Sequence, residues 1–228
     1  MTLMVSIIFL LLPVGENLHY KVRFGPFRVG TLDLSINEIS VISQESCYHF
    51  TVHLKSNSGW RFLFEIDDQL ESYARIHDFA TLKSFKRVFE SGYQKELEAN
   101  FDYQTMKIFY SDSSQFDLEP ETKDLISTWY YFRSLSLKPN DSLSVQVHND
   151  KINYKVAIEA KGPKIVKTGI GNIECIEINP TTQMKQDIGI VYLSNDSKRI
   201  PAIIKRKFSF GHIIAVLEEI SYKGDSAQ

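Results

Sequence analysis

The sequence predicts a mainly β protein: a single curved antiparallel sheet, in the form of a β roll or half-barrel, with one packed α-helix near residues 121–135. Three observations predict it. Apolar residues recur at every second position through most of the 228 residues, which is the period of a strand with one buried face. Turn sequences separate these runs at short intervals, as in sheets that roll or close. A single stretch has the period of an amphipathic helix.

Alternation predicts the strands before the helix. In residues 47–55, for example, Tyr48, Phe50 and Val52 fall on one face, whereas His49 and Thr51 fall on the other. The same reasoning predicts strands over residues 19–24, 29–36, 65–75, 82–89, 93–101 and 106–110, followed by a polar linker over residues 111–119.

The helix prediction depends on one apolar stripe. Leu125, Trp129 and Phe132 follow each other at i, i+4 and i+7, so they share one face of a helix. Pro120 and Glu121 suit a helix start, because proline tolerates the first turn and carboxylates favour the positive end of the helix dipole.

Strands return after the helix. Alternation predicts them over residues 143–147, 152–158, 164–167 and 173–178, with Pro180 ending the last of these. Residues 187–220 predict three further antiparallel strands, with turns at residues 194–197 and at Gly211. Since no linker divides the chain, residues 16–228 are expected to form a single β-rich domain.

The N-terminus predicts export. Residues 3–12 form an apolar run (LMVSIIFLLL) with the length of a signal-peptide core, too short to span a bilayer. Pro13 and Gly15 then interrupt it. We therefore expect residues 1–15 to resemble a signal peptide and the protein to work in the periplasm or cell envelope. The alternative is a buried N-terminal strand.

Composition excludes some classes of partner. The chain has 26 Lys and Arg against 28 Asp and Glu, a net charge of −2, which argues against nucleic-acid binding. His49 and His53 would lie about 13 Å apart on a strand, too far to share a metal ion. No cofactor or metal is expected. Cys47 and Cys175 are expected to be buried thiols, although a disulfide stays open.

The aromatic residues suggest a ligand site. We expect one aromatic group in the loop after residue 56 and another on the helix to meet between sheet and helix and to line an apolar cavity. These residues are Trp60, Phe62, Phe64, Trp129, Tyr130 and Phe132. The alternative is a plain filled core.

A second candidate site is a polar cluster on one predicted strand. Asp67, Asp68 and Glu71 are close in sequence, and paired carboxylates can perform acid–base chemistry or bind a hard cation. The alternative is a solvated strand face. The cluster supports only the least favoured hypothesis, a hydrolase.

An ordered series of short motifs runs through nearly the whole chain from Gly15. Its residues are Gly15, Glu16, Leu18, Tyr20, Val22, Phe24, Val29, Gly30, Asp68, Glu71, Ser72, Tyr73, Asp124–Ser127, Tyr131, Arg133, Leu135, Leu137–Pro139, Asp141, Gly171, Ile173, Cys175, Pro180, Val191, Leu193, Ser194, Asp196, Arg199 and Pro201. This series resembles the domain-of-unknown-function 3108 family of exported bacterial proteins.

The resemblance implies an exported all-β protein and brings no catalytic residues. Our leading hypothesis is a non-catalytic binding or carrier module for a lipid or another apolar or amphipathic ligand. The alternative is a structural or assembly protein that pairs with other proteins of the cell envelope. Architectural analogy to bacterial lipoprotein carriers supports the first, and fold analogy is weak support for function.

Overall fold

Fourteen strands form one antiparallel sheet in a computed structural model of the chain, which describes residues 11–60, 65–182, 189–208 and 211–224. They are β1 (Glu16–Phe24), β2 (Phe27–Ile42), β3 (Glu45–Ser56), β4 (Asp67–Arg75), β5 (Thr81–Glu90), β6 (Tyr93–Asp102), β7 (Lys107–Tyr110), β8 (Gln115–Asp117), β9 (Ser142–Asn149), β10 (Ile152–Thr168), β11 (Gly171–Thr182), β12 (Ile190–Ser194), β13 (Pro201–Phe208) and β14 (Gly211–Tyr222). One α-helix, α1 (Leu125–Ser134), lies between β8 and β9 in these residues. The mainly β fold is confirmed.

The strand order runs outward from the centre of the sheet. The first and last strands pair with each other, from Glu16 opposite Tyr222 to Phe24 opposite Ile213. Beside β1, the strands β2 to β8 follow one another in chain order to one edge of the sheet. Beside β14, the strands β13 back to β9 follow in reverse chain order to the other edge. Consequently β8 and β9 are the two edge strands.

The sheet is rolled, because strands far apart in its order touch. The turn between β9 and β10 reaches across to β5, where Lys86 Nζ donates a hydrogen bond of 2.8 Å to Asp150 Oδ1. Beside it, the Tyr110 hydroxyl on β7 lies 2.8 Å from His148 Nε2 on β9. The concave side of the roll therefore encloses an interior.

Helix α1 begins at Leu125, four residues later than predicted. Asp124 is its N-cap and forms a capping box with Ser127, whose backbone N–H donates to the Asp124 carboxylate at 2.7 Å. Glu121 has a positive φ of 54°, which a helix cannot include. Between Glu121 and Asp124, Lys123 bridges to β9. Its backbone N–H donates to the Gln146 carbonyl, and its carbonyl accepts from the His148 N–H. This segment covers the edge of β9.

A buried ion pair fixes the helix to the centre of the sheet. Arg133 and Glu16 are each 1% exposed, and the guanidinium donates two hydrogen bonds, of 2.5 and 2.8 Å, to the carboxylate. Arg133 also donates to the Lys198 carbonyl at 3.3 Å. Burial alone would lower the pKa of Arg133, but Glu16 outweighs it and raises that pKa above its usual value.

Three strand predictions were wrong, and local pairing explains each. The polar linker predicted over residues 111–119 contains the short strand β8, which pairs with β7. Strand β10 continues through Pro163 at a bulge, beyond the residues that pair with β9. Strand β11 continues past Pro180, because β12 pairs with it only as far as Ile178. Proline has no backbone N–H to donate to a neighbouring strand. Both prolines lie where one side of the strand has no paired neighbour, so no hydrogen bond between strands is lost.

Residues 1–10 lie outside the described part of the chain, so the export signal over residues 1–15 stays a prediction. Leu12 is 2% exposed and packs in a cluster with Tyr48 and Phe50. In the part of the chain that is described, no helix has the length and apolar character to cross a membrane. Cys47 and Cys175 are buried free thiols, as expected.

Candidate ligand-binding cavity

The interior of the roll is filled on one side and open on the other. Below the helix, Val145, Val147, Val156 and Ile158 are buried against Phe132 in the largest apolar cluster. On the other side, five inward-facing residues of β2, β3 and β4 are only half-buried; they are Leu32, Leu34, Val52, Leu54 and Leu70. All of these side chains except Leu34 border a cavity of about 400 Å³.

Strand register assembles the wall of the cavity. Leu34, Val52, Leu70 and Lys86 are consecutive cross-strand neighbours, so they form one row on the concave face. Leu97 continues the row on β6. Most of the wall is apolar because each of these strands alternates in phase with its neighbours.

The helix N-terminus and the ends of distant strands complete the cavity. Leu125 and Ile126, both half-buried, contribute the first turn of α1. His148, Asp150 and Arg206 approach from β9, the β9–β10 turn and β13. The result is a wall with apolar side chains that also includes five carboxylate residues and two cations.

Two charged side chains of the wall have defined partners. Asp68 accepts a hydrogen bond of 3.1 Å from the Phe89 backbone, and burial raises the pKa of its carboxyl above the usual value. Lys86 reaches across to Asp150, as described above.

His148 is the most enclosed titratable group of the wall, at 1% exposed. Its Nδ1 lies 2.6 Å from Asn153 Oδ1, and its Nε2 faces the Tyr110 hydroxyl. The neutral ring with a proton on Nδ1 satisfies both contacts. Burial lowers the pKa of His148 and raises that of Tyr110 to about 12, so both groups are neutral near pH 7.

Asp124 lines the cavity at the start of the helix and is 6% exposed. One carboxylate oxygen caps the helix, and the other, Oδ2, is enclosed without a hydrogen bond. Burial raises the pKa of this carboxyl, whereas the nearby hydroxyls of Ser72 and Ser127 lower it. We assign Asp124 a capping role.

The predicted aromatic residues lie in different places. Trp60 packs on Phe27, with ring centroids 5.5 Å apart, at the end of β3. Tyr130 stacks on Phe50 at 3.8 Å, and Trp129 meets Phe132 edge-on at 5.8 Å, so the helix aromatics pack in the core. Phe62 and Phe64 lie outside the described residues. Lining of the cavity by all six therefore stays a prediction.

The predicted acidic residues are divided between the two faces of β4. On the outer face, Asp67 lies 2.7 Å from His53 Nε2 and Glu71 lies 3.0 Å from His49 Nε2. The hydrogen bond with His53 lowers the pKa of the Asp67 carboxyl. Asp68 points to the inner face. The three carboxylates do not converge, because adjacent strand residues face opposite ways.

Sequence reasoning named Asp68 but missed Lys86, His148 and Arg206 of the cavity wall. Lys86 was detectable, since it occupies an inward position among Leu82, Ser84 and Val88 on β5. His148 and Arg206 carried no local signal, because distant parts of the chain bring them to the cavity. Among the described residues, no three His, Cys, Asp or Glu side chains are grouped closely enough to hold a metal ion.

Comparison with known proteins agrees with this fold. The family model described as "Protein of unknown function (DUF3108)" matches residues 19–218. A search of curated proteins gave no match.

Solved structures share the architecture at low sequence identity. A beta-barrel-like protein of the domain of unknown function DUF1849 from Brucella abortus aligns with a TM-score of 0.64 and 10% identity, over 93% of this chain and 99% of that one. A proposed lipoprotein from Parabacteroides distasonis aligns with a TM-score of 0.40 and 11% identity, over 95% of this chain and 100% of that one. A protein with a YmcC-like fold from Bacteroides fragilis aligns with a TM-score of 0.34 and 10% identity, over 95% of this chain and 100% of that one. The first supports a barrel-like fold, and the other two are too dissimilar to support an inference.

Proposed function

Since the chain belongs to the DUF3108 family, whose function is unknown, we propose from its own geometry that it is a non-catalytic binding or carrier module for an amphipathic ligand. The observation that carries this proposal is the cavity on the concave side of the sheet. A cavity of about 400 Å³ falls within the ~300–1,000 Å³ typical of small-molecule sites. Hydrogen-bonded strands, β2 to β7 together with β9 and β13, form most of its walls.

The chemistry of the walls favours a ligand with an apolar part and a polar end. Leu54, Leu70 and Leu125 would contact the apolar part, and removing it from water supplies the driving force. Lys86 and Arg206 would contact the polar end. A lipid or fatty-acid-like molecule has this polarity.

The place of work that we propose is the periplasm or cell envelope. The apolar run at residues 3–12 supports it, because a run of this length is typical of an export signal. Native mass spectrometry of protein recovered from the periplasmic fraction of its own host tests location and ligand together. We expect a co-purifying lipid; absence of the protein from that fraction would contradict the location.

Ligand binding is tested by filling the cavity. A fluorescent dansyl-labelled undecanoic acid should bind the delipidated wild type and brighten as it leaves water. Leu70→Trp should weaken binding, because a larger side chain occupies the open space. Thr51→Trp is the matched control, since Thr51 lies on the outer face of the neighbouring strand.

Leu54→Trp provides a second variant in case Leu70→Trp unfolds the protein. Circular dichroism and thermal unfolding verify that each variant is folded. The proposal fails if the wild type does not bind the probe, or if folded Leu70→Trp and Leu54→Trp bind it as well as Thr51→Trp does.

A further inference from the structure

Two neighbouring hairpins of the sheet contain no acidic residues. The chain has 28 Asp and Glu in total, yet none occurs in residues 17–32 or 197–217. These segments form most of the β1–β2 and β13–β14 hairpins, which lie side by side because β1 pairs with β14. Their cations are Lys21, Arg23, Arg28, Lys198, Arg199, Lys205, Arg206 and Lys207.

The strand register concentrates cations on the outer face near the hairpin tips. Arg28 lies directly opposite Arg23, Arg23 opposite Ile214, and Ile214 opposite Lys205. Like charges placed directly opposite each other destabilise a sheet. An arginine pair in this position gains most when an anion lies against it.

Aromatic and apolar residues lie in the adjacent row, on the side of the cavity. Phe27 is opposite Phe24, Phe24 opposite Ile213, and Ile213 opposite Arg206, which lines the cavity. Phe27 is 55% exposed, and Trp60 packs against it. A Cβ atom at Gly211 would lie 2.7 Å from the Phe24 ring, so glycine allows the two hairpins to touch.

Together these residues form a basic rim, defined as Arg23, Arg28 and Lys205 with Phe27 and Trp60. Acidic side chains at this end of the sheet include Glu65 before β4, Asp67 and Asp68 at the start of β4, and Glu90 at the end of β5. Aromatic rings beside cations are the side chains that bind at the membrane–water interface, where rings enter the headgroup region and cations contact phosphate.

We propose that the basic rim docks on an anionic phospholipid bilayer. This inference rests on the proposed function only in giving the docking a purpose: the part of the cavity lined by Arg206 would face the lipid. An amphipathic ligand could then move between bilayer and cavity without its apolar part crossing water. The charge pattern and the exposed ring support docking independently of any ligand.

Vesicle co-sedimentation tests the proposal with the full chain. We expect the protein to bind vesicles of phosphatidylcholine mixed equally with phosphatidylglycerol, not those of phosphatidylcholine alone, and to dissociate as salt rises. Each cation near the surface is worth about fivefold in partitioning, so Arg23→Gln/Arg28→Gln should lower it roughly 25-fold. Lys138→Gln/Lys167→Gln, at exposed positions elsewhere, is the control.

Tryptophan fluorescence tests which end of the molecule meets the bilayer. The chain has two tryptophans, so Trp129→Phe leaves the emission of Trp60 alone. We expect a blue shift with anionic vesicles. Equal binding of the two double variants, or anionic-vesicle binding with unchanged Trp60 emission, would overturn the proposal.

The two proposals fail in distinguishable ways. The dansyl probe is used without vesicles, and the vesicles are used without the probe. If vesicles do not bind but the probe does, docking is wrong and ligand binding stands. If the probe does not bind but anionic vesicles do, the cavity is not a lipid site and the basic rim is still a membrane surface.

Discussion

Glu16→Gln should destabilise the protein strongly, because it removes the only carboxylate bonded to Arg133 among the described residues. Both members of the pair are 1% exposed, and the guanidinium would retain only the Lys198 carbonyl, at 3.3 Å. Removing one partner of a buried ion pair costs about 3–5 kcal/mol. At about 2–4 °C per kcal/mol for a chain of this size, Tm should fall by roughly 6–20 °C.

Urea and thermal unfolding followed by circular dichroism measure this effect. The matched control is Asp117→Asn, which breaks the exposed pair between Lys107 Nζ and Asp117 Oδ1 at 2.6 Å. Surface pairs contribute little, so this variant should unfold like the wild type. Glu16→Leu/Arg133→Met should recover most of the stability, because it leaves no buried charge.

Two results would refute the reasoning. One is a Tm for Glu16→Gln equal to that of Asp117→Asn. The other is a double variant as unstable as Glu16→Gln, since the loss would then come from shape rather than from an unpaired charge.

Two further predictions concern titratable groups. Cys47 and Cys175 should not react with a thiol reagent at neutral pH until urea unfolds the chain, because both are buried and burial raises the pKa of Cys175 to about 12; reaction of the native protein would contradict this. Burial lowers the pKa of His148, so below pH ~6.5 the unfolded chain binds a proton that the folded chain resists. Wild type should therefore lose more stability on acidification than His148→Asn, measured as the urea midpoint, and parallel curves would exclude this role.

Most of the fold could be predicted from alternation, because each strand has one face toward the interior. Inward positions such as Tyr48, Phe50 and Val147 are buried as the pattern requires. The true helix start was also present in the sequence. Asp124 followed by Ser127 is a capping pair, whereas the acidic Glu121 and Pro120 are compatible with a turn as well.

The cavity could not be predicted, because alternation indicates which face is inside and not how far that side is filled. Leu70 and Val156 have the same pattern, yet only Val156 is covered by distant residues. The division of Asp67 from Asp68, by contrast, follows from strand geometry and was predictable. The basic rim depends on β1 pairing with β14, a contact between the two ends of the sequence that local patterns do not contain.

The pairing of β1 with β14 also sets the order of events in folding. Strands β2 to β8 and β9 to β13 form two arms whose neighbours are joined by short connections, so each arm can form as it is synthesised. The centre of the sheet cannot form until Tyr222 has been made, because Glu16 has no other partner strand on that side. A nascent chain therefore lacks the central pairing of the sheet until β14 has been made.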